Sequence, residues 1–297
     1  METKMKKLAL FAVLLVPAFM LASCSDDDNP VAPHTPLTPQ GVYTITGDHA
    51  VEVWWNGVYD TDVKEYVVWR SLEATTNYSE IARVAADANP NLDLLTYQYI
   101  DNDVSNGTTY YYAVSSVDHE GRVSPLSAEN AYDTPRPQGE VILFPLQLDS
   151  TMAGFNLATQ HVVNYNSPIA DIYIDLFQGT KYINVSNTQT DIMDMGYTSN
   201  FNEITVSPVV AQDSGWSTLG FYEITIGHTY IIWTADNHYA KMRVEDNNLI
   251  TGSVQFQWGY QTASGNPELA PSQNGGPKRP VHSPNFMNKQ AQSLVAR

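Results

Sequence analysis

One cysteine in 297 residues, Cys24, leaves the chain unable to form an intrachain disulfide or a cysteine-built metal site. Basic side chains are scarce as well, with 15 Lys and Arg against 32 Asp and Glu and a formal charge of −17. A surface of that sign repels nucleic acid and anionic headgroups, so neither is an expected partner. No long stretch shows a helical apolar period. Signatures of catalysis are missing too: there is no Gly-x-Ser-x-Gly elbow, no His-Glu-x-x-His, no phosphate-cradling glycine loop and no cysteine after Cys24. The acidic residues are numerous enough for chance carboxylate pairs, which by themselves give no reason to expect a glycosidase. The chain is expected not to be an enzyme.

What is present begins at the N-terminus. Lys4, Lys6 and Lys7 precede an apolar run from Leu8 to Met20, too short to span a bilayer and followed by small residues, as in a signal peptide. The sequence Leu21-Ala22-Ser23-Cys24 resembles a bacterial lipobox, which implies lipidation of the Cys24 sulfur after removal of residues 1–23. Several acyl chains on one cysteine anchor a protein stably, at about 0.8 kcal/mol per buried methylene. Loss of residues 1–23 also removes Glu2 and the three lysines, leaving 31 acidic and 12 basic side chains and a charge of −19. Residues 24–35 then read as an acidic, proline-containing tether. Its aspartates resemble the surface-export signal of Bacteroidetes lipoproteins, and equally a charged spacer. The expected location is the cell envelope, at the outer membrane or cell surface.

Beyond the tether, alternating aromatic and β-branched runs punctuated by Pro and Gly predict an all-β fold: a β-sandwich followed by a second antiparallel β-rich domain. In "VEVWW", Val51, Val53 and Trp55 share one face and Glu52 and Trp54 the other. "EYVVWR", "YSEIARV", "TYQYID" and "TTYYYAVSSVD" follow at sandwich spacing. With "PLTPQGVYTITGDHAVEVWW" and "YIDNDVSNGTTYYYAVSSVDHEGRVSPLS", residues 36–136 resemble a fibronectin type III domain. That resemblance implies a corner role for Tyr110, its hydroxyl bonded to preceding backbone. "DNDVSNG" (101–107) alternates oxygen ligands but has Asn106 and Tyr112 where a calcium loop needs glycine and a carboxylate, and it reads as a turn.

"TPRPQGE" (134–140) reads as a proline-marked linker. In residues 140–262 the run from "YEITIGHTY" to "SVQFQWGYQT" predicts four consecutive antiparallel strands. His238, Ala240, Met242 and Val244 are placed on an apolar face, with Tyr239, Lys241 and Arg243 on a wet one. "ADIYIDLF", "KYINVSN" and "NEITVSPVV" (202–210) read as further strands, with "TDIMDMGYTSNF" between them. On "ADIYID", "YINVSN", "YIIWTADNHYAKMRV" and "SVQFQWGYQT" this region resembles the HmuY-like surface lipoproteins. The resemblance implies an all-β domain and, in some members, haem held by two histidines. His161 and His238, both with apolar flanks, are the candidate pair; Met193, Met195 and Met242 are substitutes, each also explicable as core filling. His228 is expected in an exposed turn. Residues 263–297, rich in Pro, Gly, Asn and Gln, read as a disordered tail.

Together these features predict a non-enzymatic, surface-anchored lipoprotein without a resident cofactor or metal. The first domain would space a second that binds a protein, glycan or haem ligand. Haem capture for iron acquisition and a structural or adhesive envelope role are the alternatives.

Overall fold

Alternation of large apolar and polar residues makes each strand two-sided, and burying the apolar side of one sheet requires a second sheet. The computed structural model describes residues 35–87, 96–208 and 215–270, and every named element among them is a strand. Cys24, the signal segment, nearly all of the tether and residues 271–297 lie outside the described residues. The first sandwich pairs a three-stranded sheet of β1 (Gln40–Thr46), β2 (Val51–Asn56) and β5 (Thr96–Asp101) with a four-stranded one. The latter has the order β4-β3-β6-β7, built from β3 (Val63–Ser71), β4 (Ser79–Ala85), β6 (Tyr110–Asp118) and β7 (Ala131–Asp133). This is the fibronectin type III arrangement. Val51, Val53 and Trp55 face the core as their spacing predicts, and Trp55 packs against Tyr66 and Tyr97. Tyr110 is the corner tyrosine: its hydroxyl accepts the Ser105 N–H at 3.1 Å.

The second sandwich joins two five-stranded sheets. One runs β10-β9-β11-β12-β14, from β9 (Gly154–Asn156), β10 (His161–Val163), β11 (Ile172–Phe177), β12 (Thr180–Val185) and β14 (Phe221–Glu223). The other runs β13-β15-β16-β17-β8, from β8 (Gln138–Leu143), β13 (Asp191–Tyr197), β15 (His228–Trp233), β16 (Tyr239–Asn247) and β17 (Val254–Tyr260). Ile172, Ile174, Ile183, Ile232, Met242, Val244 and Phe256 fill the space between them.

Several expectations are corrected here. The four-strand run divides, because β14 pairs with β12 in one sheet while β15, β16 and β17 belong to the other. The crossover is held by Tyr230, whose hydroxyl accepts the Thr225 N–H and donates to the Glu223 carbonyl. "NEITVSPVV" is not a strand in its described part, 202–208, and contributes only a bridge from Val206 to Glu268. The strand is instead β13, where both Ile192 and Met193 are buried, so alternation is absent from the sequence. The wet face of β16 is also covered: Tyr239 and Lys241 are buried, and Ile231, Trp233, Tyr239, Met193, Trp216 and Leu269 form a second core on that side. Part of its cover comes from the presumed tail. Residues 263–270 are ordered, with Leu269 N–H donating to the Thr205 carbonyl and Ser207 N–H to that of Pro267. A segment without alternation is fixed here by one buried leucine and irregular backbone bonds.

Candidate functional site

The 134–140 segment is not a solvated linker. Pro135 and Pro137 are buried, β8 begins inside the segment, and from Thr35 onward the chain forms one compact unit. Its prolines fix the backbone while their carbonyls remain acceptors. Gly107 N–H donates to the Pro135 carbonyl and Tyr260 N–H to that of Pro137, one bond to each sandwich. Arg136 N–H donates to the Gly47 carbonyl in the β1–β2 turn.

Four ionisable side chains close this junction: Asp133, Arg136, Lys241 and Glu268, all buried. Asp133 Oδ1 accepts from Thr46 Oγ1 at 2.8 Å, and Glu268 Oε2 accepts from Thr134 Oγ1 at 2.9 Å. Arg136 Nη1 donates to Gln138 Oε1 at 2.9 Å, and Lys241 Nζ to the Ile204 carbonyl at 3.1 Å. Both cations lie against the Phe201 ring, at 5.7 Å and 4.3 Å from its centroid. A Cβ on Gly259 would come within 3.2 Å of Arg136 Nε and 3.1 Å of the Phe201 ring, so both would have to give way by a few tenths of an ångström. Burial, and then the nearby Glu268 carboxylate, push Asp133 up to about 8. Burial pulls Arg136 down to about 10, and burial followed by repulsion from Arg136 takes Lys241 well below the ordinary lysine value. Sealed from solvent, these groups can fix an orientation but cannot meet a substrate. None was anticipated. Arg136 between two prolines reads as linker, and Glu268 and Lys241 reveal themselves only once the sheet face is seen to be covered.

The histidines sit elsewhere on the second sandwich. His161 is exposed at the start of β10, with Nδ1 against the Thr159 carbonyl. His238 lies in the turn before β16, with Nδ1 3.2 Å from Asp236 Oδ1 and its ring 5.4 Å from that of Tyr260. Asn156, the ladder partner of His161, donates to Asp171 Oδ2, and Asp171 is within electrostatic reach of His238. The fold therefore brings both to one end of the sandwich. Between them stand Asp171, pushed up to about 6 by burial, Asp236 and the Asn156 amide, rather than the apolar walls a tetrapyrrole needs. Met193 and Met242 are buried core residues and Met195 packs beside the outer cluster. His228 is half-buried and pairs with Asp194 at 3.0 Å.

Two polar sites on the first sandwich are internally satisfied. Asp101 in the 101–107 turn binds Arg70 at 2.9 Å and the Tyr112 hydroxyl at 3.0 Å. Asp62, Asp118 and Glu120 are, among the described residues, the one trio of ligand side chains gathered within 4.8 Å. Arg122 pairs with all three, with Nε 2.6 Å from Asp118, Nη2 2.7 Å from Glu120 and Nη2 3.6 Å from Asp62.

No family model matches the chain. It is 31% identical over 134 residues to an amylopullulanase of Thermoanaerobacter thermohydrosulfuricus, covering 45% of this chain and 8% of that enzyme. Over 173 residues it is 25% identical to an amylopullulanase of Thermoanaerobacterium saccharolyticum, covering 58% of this chain and 12% of the enzyme. The chain thus spans only about a tenth of the length of these curated relatives. Among solved structures, an Fn3-like protein from Clostridium thermocellum is 28% identical, with 36% of this chain and all of that one covered, at a TM-score of 0.27. The FN1–FN3 domains of chicken CNTN1 are 12% identical over 70% of this chain and 62% of theirs, also at 0.27.

Proposed function

We propose that the chain is a non-catalytic, lipid-anchored protein of the cell envelope, held by Cys24, in which the fibronectin type III sandwich is a spacer for a second, partner-binding sandwich. The observation carrying this reading is the junction: a spacer works only if it transmits orientation, and the buried Asp133–Arg136–Glu268–Lys241 group ties both sandwiches to residues 134–137. The charged side chains most perturbed by burial lie in that sealed junction rather than in an open cleft, which favours support over catalysis. A match to a small fraction of two amylopullulanases supports kinship at the level of an accessory module, without their reaction. The second sandwich is assigned to the HmuY-like lipoproteins on its sequence resemblance, without haem, because Asp171 and Asp236 flank the histidines. The charge of −17 speaks against nucleic acid as a partner.

The test of anchoring is Cys24→Ser expressed in the native envelope, followed by membrane flotation. Loss of the protein from the membrane fraction, or arrest of its processing, is the expected result. A variant that still floats with membrane overturns the anchor.

A further inference from the structure

The side of the β1-β2-β5 sheet that faces away from the core is aromatic, which folding of the sandwich does not require. On β2, Glu52, Trp54 and Asn56 alternate with the inward Val51, Val53 and Trp55. The ladder sets Tyr43 of β1 and Gln98 of β5 on either side of Trp54, and Gln40 and Thr96 on either side of Asn56. The Tyr43 and Trp54 rings lie parallel within 9°, with centroids 6.2 Å apart. Glu52 Oε2 accepts from Trp54 Nε1 at 3.0 Å and from Gln98 Nε2 at 2.8 Å, which fixes the indole on this face. Half-exposed Trp and Tyr rings are enriched where proteins bind, because each offers an apolar face and a polar tip.

The row that holds Asn56 opens into a cleft of about 340 Å³, whose walls include Leu37, Thr38, Gln40, Asn56, Val58 and Tyr59. Its walls are fixed. The Tyr66 hydroxyl accepts the Val58 N–H at 3.0 Å and Val63 N–H closes on the Asp60 carbonyl, so Tyr59 between them is held outward, 74% exposed. The entering chain is pinned by Ser116, whose hydroxyl donates to the Leu37 carbonyl. Gly41, at φ 68° in the bulge of β1, leaves room for the Asn56 amide, where a Cβ would collide with Nδ2. The side chains of Thr38, Gln40, Asn56 and Tyr59 hydrogen-bond to no other described residue, and no wall residue is charged. A preformed cleft of about 300–1,000 Å³ with a few convergent polar groups is the ordinary form of a small-ligand site.

We infer that this face and its cleft bind a neutral oligosaccharide, which makes the spacer a binding module in its own right. A sugar ring has an apolar C–H face, which suits the negative π face of an aromatic ring, and a rim of hydroxyls that donate and accept. The Gln40 and Asn56 amides do both as well. Asn56 stands both on the aromatic face and in the cleft, so a chain of sugars can engage the two together. An acidic glycan would meet Glu52 and a protein of charge −17, with no cation in the cleft. An apolar ligand would strip water from the four polar side chains without replacing its bonds. A peptide added to a sheet pairs with an edge, whereas these groups stand on a face.

The test uses the chain from residue 25 onward, so its outcome does not depend on Cys24. Calorimetric titration with cellohexaose and with maltohexaose is expected to show saturable binding of at least one. Tyr59→Ala and Asn56→Ala, both at exposed positions, are expected to weaken it at least about tenfold at unchanged melting temperature. Tryptophan emission is expected to shift on saturation, and the shift to vanish in Trp54→Phe, which keeps an aromatic face. Failure of both hexasaccharides to bind, or binding indifferent to the two alanine substitutions, overturns the site. An emission shift that survives Trp54→Phe takes the sugar off this face, and tighter binding of hexagalacturonate than of either neutral chain overturns the ligand class.

Discussion

Asp133 is protonated in the folded protein over a range where the unfolded chain has released its proton. With a folded value of about 8 against an ordinary 3.8, the native state holds one more proton between those limits. Its contribution to stability is therefore fully present below about pH 4 and is lost as pH rises toward 8, at up to about 1.4 kcal/mol per pH unit. Glu268, Arg136 and Lys241 titrate beside it, so the informative quantity is a difference. Asp133→Asn is expected to flatten the fall in melting temperature between pH 5 and pH 8. A variant whose slope equals that of the unmodified chain would place the proton elsewhere. Such a group is invisible in sequence, where "AYDTPRP" gives no sign that Asp133 and Arg136 are buried together. By contrast Tyr110 was legible, because a corner tyrosine depends on local spacing along one strand and its preceding turn.

At the level of elements, legibility followed alternation. β2, β3, β11 and β17 carry a period of two or an unbroken apolar run, and the sequence places them correctly. β13 escaped because its two faces are both buried, Ile192 toward the central core and Met193 toward the outer one. Residues 263–270 escaped because an irregular strap has no period to read, although Leu269 closes the face formed by Trp233 and Tyr239. Leu269→Ala is expected to lower unfolding free energy by about 2–5 kcal/mol in urea titration, as for other buried leucines. It should also raise binding of an apolar dye as Trp233 loses its cover. An effect below about 0.5 kcal/mol would mean the strap lies on the sheet without sealing it.

For the whole molecule, the candidate haem pair was half legible. The sequence singled out His161 and His238, and the fold brings them to one end of the second sandwich, but Asp171 folds in beside them and, with Asp236 two residues before His238, makes that end acidic. A haemin titration followed at the Soret band is expected to give no saturable signal that depends on either histidine. A sharp band abolished by His161→Ala or His238→Ala would instead establish an iron site. The junction has a mechanical consequence as well. Tension applied between β7 and the 248–253 turn passes through residues 134–137 into β8. It must then cross to β17 through the register from Gln138–Gly259 to Leu143–Val254. Those backbone bonds lie across the pull and are strained together, in shear, rather than opened one by one like a zip. A pull along these strands therefore loads the six β8–β17 pairings at once.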